Sequence, residues 1–228
     1  MIQTGTLIVE LLQTLLWPLV LLFVILYFGK PLKGFVSNLG EFTFKAAGVE
    51  ATVKRQQIEA ATHLGAATGW HEAAEGMGQP QGGNVPEIAN LITQTVTPEN
   101  IRQLSDARVL WVDDIPENNV YERRALEAVG IRFVLSTTTE DALGKTLRSS
   151  YAAIISDMGR PPDHRAGYTL LDALRQRGDR TPFIIYAGSR SPEHNAEARK
   201  HGALGYTNRP QELFQLVVPA IVRGGETR

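Results

Sequence analysis

The sequence predicts an α/β fold for the C-terminal part of the chain, with five parallel strands in a doubly wound sheet. From Ala107 onward, short apolar runs alternate with amphipathic segments. The runs are too short for helices and lack a regular polar face, which is typical of strands buried on both faces. Glycine, proline and helix-start residues separate the runs. Short buried strands that alternate with helices predict a parallel sheet covered on both sides.

Each predicted strand is followed by one predicted helix. The strands are RVLWVDD (108–114), IRFVLST (131–137), YAAIISD (151–157), TPFIIYAG (181–188) and ALGYTNR (203–209). The helices are PENNVYERRALEAVG (116–130), TEDALGKTLRSS (139–150), GYTLLDALRQRG (167–178), SPEHNAEARKHG (191–202) and QELFQLVVPAIV (211–222). We assign residues 97–228 to this domain.

The N-terminal segment predicts a transmembrane anchor at residues 1–29. Leu7 to Phe28 is a run of 22 residues in which Glu10 is the only charge. As a helix it would be roughly 33 Å long, enough to cross a bilayer core. A buried core helix and a cleaved signal peptide are the alternatives, but the run has no polar face and no basic start. Lys30 and Lys33 follow it, so we expect a single-pass protein of the inner (plasma) membrane, in contact with the lipid bilayer, with a cytoplasmic C-terminal domain.

Two segments connect this anchor to the α/β domain. Residues 30–67 predict a juxtamembrane strand and helix, because EFTFK alternates and VEATVKRQQIEAATHLGAA is rich in helix formers. The helix has mostly alanine at its apolar positions, so we expect either a homo-oligomer formed through residues 30–66 or a connector that lies on lipid headgroups. Residues 68–96 predict a linker with one short helix, since TGWHEAAEGMGQPQGGNVP has no periodicity.

Composition excludes several kinds of site. The formal net charge is −1, so we expect no nucleic-acid partner. The chain has no cysteine, which excludes disulfides, cysteine zinc sites and thiol catalysis. Its five histidines show no metal-ligand spacing.

Three aspartates stand at the ends of predicted strands. Asp113 and Asp114 end the first strand, and Asp157 ends the third. Ligands of doubly wound sheets bind at the carboxyl ends of the strands. Three converging carboxylates would repel one another unless a cation such as Mg²⁺ neutralised them, and one of them would then be free to act as a nucleophile. The alternatives are that the acidic pair caps the following helix and that Asp157 is a solvated strand end.

Residues 107–222 resemble the receiver domain of two-component response regulators. The acidic pair VDD, the IISD strand end and the DxxxP turn from Asp157 to Pro161 match that family in order. A glycine and a Leu-Leu helix follow at Gly167, and GALGYTNRP (202–210) matches the family's last motif.

The resemblance implies a flavodoxin-like sheet, a Mg²⁺ site at Asp113, Asp114 and Asp157, and Asp157 as phosphoacceptor. The sequence also departs from the family at two positions and in one loop. Arg209 stands in place of the family lysine, and Ala187 stands where the family has a switch hydroxyl. Tyr206 matches the switch aromatic residue. The loop MGRPPDHRAG after Asp157 is two residues longer than usual and adds Arg160, His164 and Arg165 near the pocket.

These observations favour a membrane-anchored cytoplasmic signalling module that acts through protein contacts, with a histidine kinase as partner and Asp157 as a Mg²⁺-dependent phosphoacceptor. The alternative is a phosphorylation-independent pseudo-receiver in an oligomeric membrane scaffold or effector. We do not expect an enzyme. A TIR-like NAD hydrolase on a similar sheet would need a catalytic glutamate beside a nucleotide cleft, and the sequence offers no convincing candidate.

Overall fold

A five-stranded parallel sheet forms the centre of the fold, which confirms the α/β sheet that the sequence predicted. The computed structural model describes residues 48–73, 85–188 and 191–226. The strands are β1 (Arg108–Val112), β2 (Arg132–Ser136), β3 (Ala153–Ser156), β4 (Phe183–Tyr186) and β5 (Gly205–Thr207). They lie side by side in the order β2-β1-β3-β4-β5, and every neighbouring pair is parallel. This strand order is the flavodoxin-like one, and the direction of winding reverses between β1 and β3.

The helices cover both faces of the sheet. After a 3₁₀ turn at Pro116–Asn119, they are α4 (Val120–Ala128), α5 (Thr139–Arg148), α6 (Ala166–Gln176), α7 (Pro192–Lys200) and α8 (Pro210–Glu226). Alternate strand residues face opposite sides, so that Trp111 packs with α4 and α8 whereas Leu110 packs with α5, α6 and α7. All four residues of β3 and of β4 are buried. This explains why these strands read as continuous apolar runs.

Among the described residues, three helices precede the sheet, and all three contribute to its core. They are α1 at residues 48–73, α2 (Val85–Thr95) and α3 (Ile101–Asp106). Ala60 and Leu64 of α1 and Ile88 and Ile92 of α2 are buried in the same apolar cluster as Trp111.

The structure divides the chain differently from the sequence prediction. Residues 68–73, which we predicted as the start of the linker, continue helix α1. The chain separates into two compact units, Met1–Glu50 and Ala51–Arg228, and only residues 48–50 of the first are described, as exposed helix. The second unit thus begins well before the predicted boundary at residue 97. Because Leu64 is 1 % exposed within its own chain, the buried face of α1 does not need a second copy to cover it.

The predicted localisation is contradicted. Among residues 48–73, 85–188 and 191–226, no helix is both long and apolar enough to cross a bilayer. We therefore do not retain the single-pass inner-membrane assignment. The predicted anchor at residues 1–29 and the predicted strand at 41–45 lie outside the described residues.

Candidate functional site

Three carboxylates converge at the carboxyl edge of the sheet, where β1 and β3 lie next to each other. Val112 and Ser156 are register partners, and the next residue on each strand is an aspartate. The backbone N–H of Asp157 donates to the carbonyl of Val112 at 3.0 Å. One carboxylate oxygen from each of Asp113, Asp114 and Asp157 lies within 4.8 Å of the others. The parallel register therefore brings together the three acids that the sequence singled out.

Asp113 is the most firmly held of the three. Its Oδ1 accepts a hydrogen bond from the backbone N–H of Ile115 at 2.8 Å, and its Oδ2 accepts one from Asn119 Nδ2 at 2.6 Å. Burial raises the pKa of Asp113, and the neighbouring charge of Asp114 adds to that effect, against the Ile115 hydrogen bond. Asp114 is exposed. The site therefore combines a buried, oriented carboxylate with one that faces solvent.

Of the three acids, Asp157 has the most strongly perturbed pKa. Burial raises its pKa from 3.8 to about 7, and the nearby Asp113 contributes in the same direction. The Arg160 guanidinium opposes this rise through its charge and a hydrogen bond. Without a bound cation, Asp157 therefore titrates near neutral pH. Strongly perturbed acids in a cleft are typical of functional sites.

Arg160 is the basic residue that the structure places against Asp157. Its Nη1 donates to Asp157 Oδ1 in a part-buried ion pair and to Ser156 Oγ at 2.9 Å. Its Nη2 donates to Thr139 Oγ1 at 3.0 Å. The Arg160 side chain is 4 % exposed. Sequence analysis placed this residue near the pocket, but nothing in the sequence indicated that it would turn inward.

A cleft of about 730 Å³ opens over the three acids. Its walls come from α1, from the loops after β1, β3 and β4, and from α7 and the end of β5. Tyr168 lines this cleft, and its hydroxyl is buried with no hydrogen-bond partner among the described residues. A volume of this size is ordinary for small-ligand sites, and its mixed acidic and aromatic lining suits a cation together with a polar group.

The end of α1 forms one wall of the cleft. Trp70 and His71 both line it. His71 Nε2 lies 2.8 Å from Glu122 Oε1 and 3.0 Å from the Tyr186 hydroxyl, which donates to Glu122 Oε1 at 2.9 Å. Burial raises the pKa of Tyr186, and the charge of Glu122 adds to it. These contacts join α1, α4 and β4 directly behind the cleft.

Sequence analysis did not find Trp70 and His71, because the Gly- and Pro-rich residues after them led us to assign the whole stretch to a linker. The signal that it missed was the absence of any proline in THLGAATGWHE (62–72), which lets the preceding helix continue through Trp70 and His71.

Of the other predicted site residues, the structure brings two to the cleft and leaves one outside it. Ala187 and Tyr206 line the cleft. Tyr206 is 3 % exposed and packs against the His194 ring, with the centroids 5.3 Å apart. The Arg209 side chain is 61 % exposed and pairs with Glu212 at 3.9 Å. Arg209 is not among the residues lining the cleft, so the structure does not place it in the role that the resemblance implied.

The acidic cluster fits a hard divalent cation. Carboxylate oxygens are the ligands that Mg²⁺ prefers. Burial and mutual repulsion raise the pKa of both Asp113 and Asp157, so a bound cation would relieve an electrostatic cost already present in the fold. Asp113, Asp114 and Asp157 are the residues that would hold it.

No family model and no curated protein sequence matches the chain. Among solved structures, the Francisella response regulator 1452 receiver domain is 25 % identical with a TM-score of 0.47, over 54 % of this chain and 100 % of that chain. The chemotaxis response regulator CheY4 of Vibrio cholerae is 25 % identical with a TM-score of 0.44, over 50 % and 98 %. A response regulator from Clostridium difficile is 23 % identical with a TM-score of 0.45, over 52 % and 97 %.

Proposed function

We propose that this chain is a receiver-like signalling module that acts through protein–protein contacts and accepts a phosphoryl group on Asp157 in a Mg²⁺-dependent step. The observation that carries this proposal is the cluster of three carboxylate oxygens within 4.8 Å at the winding reversal of the sheet. Ligands of such sheets bind at that point. The phosphodonor that we propose is a phosphohistidine on a partner kinase, for which a small acyl phosphate is the experimental substitute.

In the proposed step, a carboxylate oxygen of Asp157 attacks the phosphorus of the donor. The bond between phosphorus and the leaving group breaks, the leaving group keeps the electron pair, and an acyl phosphate forms on Asp157. Bound Mg²⁺ would neutralise charge on the carboxylates and the phosphoryl oxygens. Asp113 is already oriented for this arrangement by the Ile115 N–H and the Asn119 side chain.

A second candidate is a module that binds partners without phosphorylation. It is favoured by Ala187, which has no hydroxyl to contact a phosphoryl group, and by Arg209, whose side chain is exposed and is not among those lining the cleft. In this version the module acts as an oligomeric scaffold, and Ile58, 67 % exposed on α1, offers an apolar contact. Light scattering of the full-length protein tests this version, which a strictly monomeric protein would contradict.

We propose a binding module rather than an enzyme. Glu122 is a buried glutamate next to the cleft, only 3 % exposed, and it is already hydrogen-bonded to Tyr186 and His71. Its contacts are those of a structural group that holds α1 in place.

Intact-mass spectrometry of the full-length chain tests the phosphoacceptor proposal. The protein is incubated with acetyl phosphate, with Mg²⁺ or with EDTA, and compared with Asp157→Asn. We expect one added phosphoryl group in the wild type with Mg²⁺, and none with EDTA or in the variant. Arg209→Gln is the matched control and should be phosphorylated like the wild type. Absence of an Asp157-dependent adduct would favour the second candidate.

A further inference from the structure

The ion pair between Arg160 and Asp157 places a positive charge inside the acidic cluster. The guanidinium Nη1 contacts Asp157 Oδ1, while Ser156 and Thr139 accept its other hydrogen bonds at 2.9 and 3.0 Å. Arg160 is 4 % exposed, whereas Asp157 is 13 % exposed. The guanidinium therefore approaches Asp157 from within the protein and leaves the cleft side of the carboxylate open.

The longer loop after β3 holds Arg160 in this position. Arg160 and Asp163 exchange two backbone hydrogen bonds, at 2.9 and 2.8 Å. The Asp163 carboxylate in turn accepts from the Arg165 N–H at 2.8 Å and from Thr169 Oγ1 at 2.6 Å, which ties the loop to the start of α6. The insertion thus forms a closed turn that directs one long basic side chain inward.

The guanidinium is not fully satisfied where it lies. Its Nε–H is buried and has no hydrogen-bond partner among the described residues. A buried, unpaired donor has a free-energy cost, which the contacts of the guanidinium with Asp157, Ser156 and Thr139 must offset. When Asp113, Asp114 and Asp157 are all ionised, the one guanidinium leaves a formal charge of −2 in the cluster.

We propose that Arg160 is a built-in competitor of the divalent cation: it occupies Asp157 in the resting protein and weakens Mg²⁺ binding at the acidic cluster. This inference rests on the proposed function, since it concerns the cation of the same site. Like charges repel most strongly where water is largely excluded. A guanidinium bound to one of the three ligands therefore lowers the affinity of that cluster for a second cation. Arg160 acts through Asp157 and is a regulatory residue of the site.

Calorimetric titration of the full-length protein with Mg²⁺ tests the inference. Titrations at about pH 9 keep the carboxylates ionised. We expect Arg160→Gln to bind Mg²⁺ about tenfold or more tightly than the wild type, since one nearby positive charge is removed. Arg160→Lys keeps the charge and should stay within about threefold of the wild type. Arg209→Gln removes an exposed charge outside the cleft and is the matched control, with unchanged affinity.

A second variant keeps the test valid if Arg160→Gln does not fold. Thr139→Val removes one acceptor of the guanidinium while conserving side-chain shape, and we expect Mg²⁺ to bind about threefold more tightly because the guanidinium is less firmly held. Equal or weaker Mg²⁺ binding in every folded variant would overturn the inference.

The outcomes separate this inference from the phosphoacceptor proposal. If the wild type is phosphorylated and Arg160→Gln binds Mg²⁺ no more tightly, the phosphoacceptor proposal stands and the inference falls. If the wild type is not phosphorylated and only Arg160→Gln binds Mg²⁺, the competitor role of Arg160 is supported and the phosphoacceptor proposal fails. If neither protein binds Mg²⁺, the inference is also overturned.

Discussion

The raised pKa of Asp157 predicts that, without metal, this residue makes the folded protein less stable as pH rises. An aspartate has an ordinary pKa of 3.8, and burial raises that of Asp157 to about 7. Between these values the folded state binds a proton that the unfolded state has released. The contribution to the free energy of unfolding is therefore fully present below about pH 4 and is lost as pH rises through about 7.

The expected size follows from the difference between the two pKa values. That difference, from 3.8 to about 7, corresponds to about 4 kcal/mol as an upper limit, at about 1.4 kcal/mol for each pH unit. The carboxylate faces an open cleft, so solvent screening reduces this value, and we expect about 2 kcal/mol.

Urea denaturation in EDTA, at several pH values between about 4 and 8, measures this contribution. Asp157→Asn is the reference, because it cannot titrate. Subtracting the free energy of unfolding of Asp157→Asn from that of the wild type removes the contributions of the groups that titrate in both proteins. We expect this difference to become less favourable to the wild type by about 2 kcal/mol as pH rises across the range. A difference that stays constant within about 0.5 kcal/mol would refute the reasoning.

Three further predictions concern the packing around the site. Leu64→Ala on α1 should lower the free energy of unfolding by about 2–5 kcal/mol, because Leu64 is 1 % exposed in the same core as the sheet. Ile58→Ala is the control, since Ile58 is 67 % exposed on the same helix, and it should change the free energy of unfolding by less than about 0.5 kcal/mol. Equal effects in urea denaturation would show that α1 does not pack on the domain. His71→Ala should lower the free energy of unfolding by about 1–3 kcal/mol, since it removes a partner of the buried Glu122 carboxylate. His63→Ala on the same helix is its control. If His71→Ala loses no more stability than His63→Ala, the contact between His71 and Glu122 is contradicted. Gly167→Ala should destabilise the fold and weaken Mg²⁺ binding in calorimetry, because the Cβ of the new alanine would lie 2.6 Å from the backbone oxygen of Asp157. Unchanged Mg²⁺ binding would mean that the contact between residue 167 and the Asp157 backbone does not position Asp157.

The acidic cluster could be predicted from sequence because it depends on backbone register. In the flavodoxin-like strand order that the resemblance implied, β1 and β3 are neighbours and their carboxyl ends meet at the same sheet edge, so Asp113 and Asp157 were expected to lie close together. The alternation of Trp111 and Leu110 between two helix layers follows from the same period-two geometry.

Two features of the site could not be predicted in this way. The position of the basic group depends on loop geometry: the inserted turn directs Arg160 inward, whereas Arg209 is left paired with Glu212 at the surface. Both residues are arginines near strand ends, and local sequence does not distinguish them. The contribution of α1 depends on tertiary packing. Its alanine-rich face predicted little buried area by itself, and the partners that bury Leu64 lie in distant parts of the chain.

The most direct test of the central claim is to identify the residue that carries the phosphoryl group. An acyl phosphate on aspartate is reduced by borohydride to homoserine, whereas an unmodified carboxylate is not. We predict that full-length protein treated with acetyl phosphate and Mg²⁺, then with borohydride, will yield homoserine at position 157 in peptide mass spectrometry. No conversion at Asp157, or conversion at Asp113 or Asp114 instead, would contradict the account.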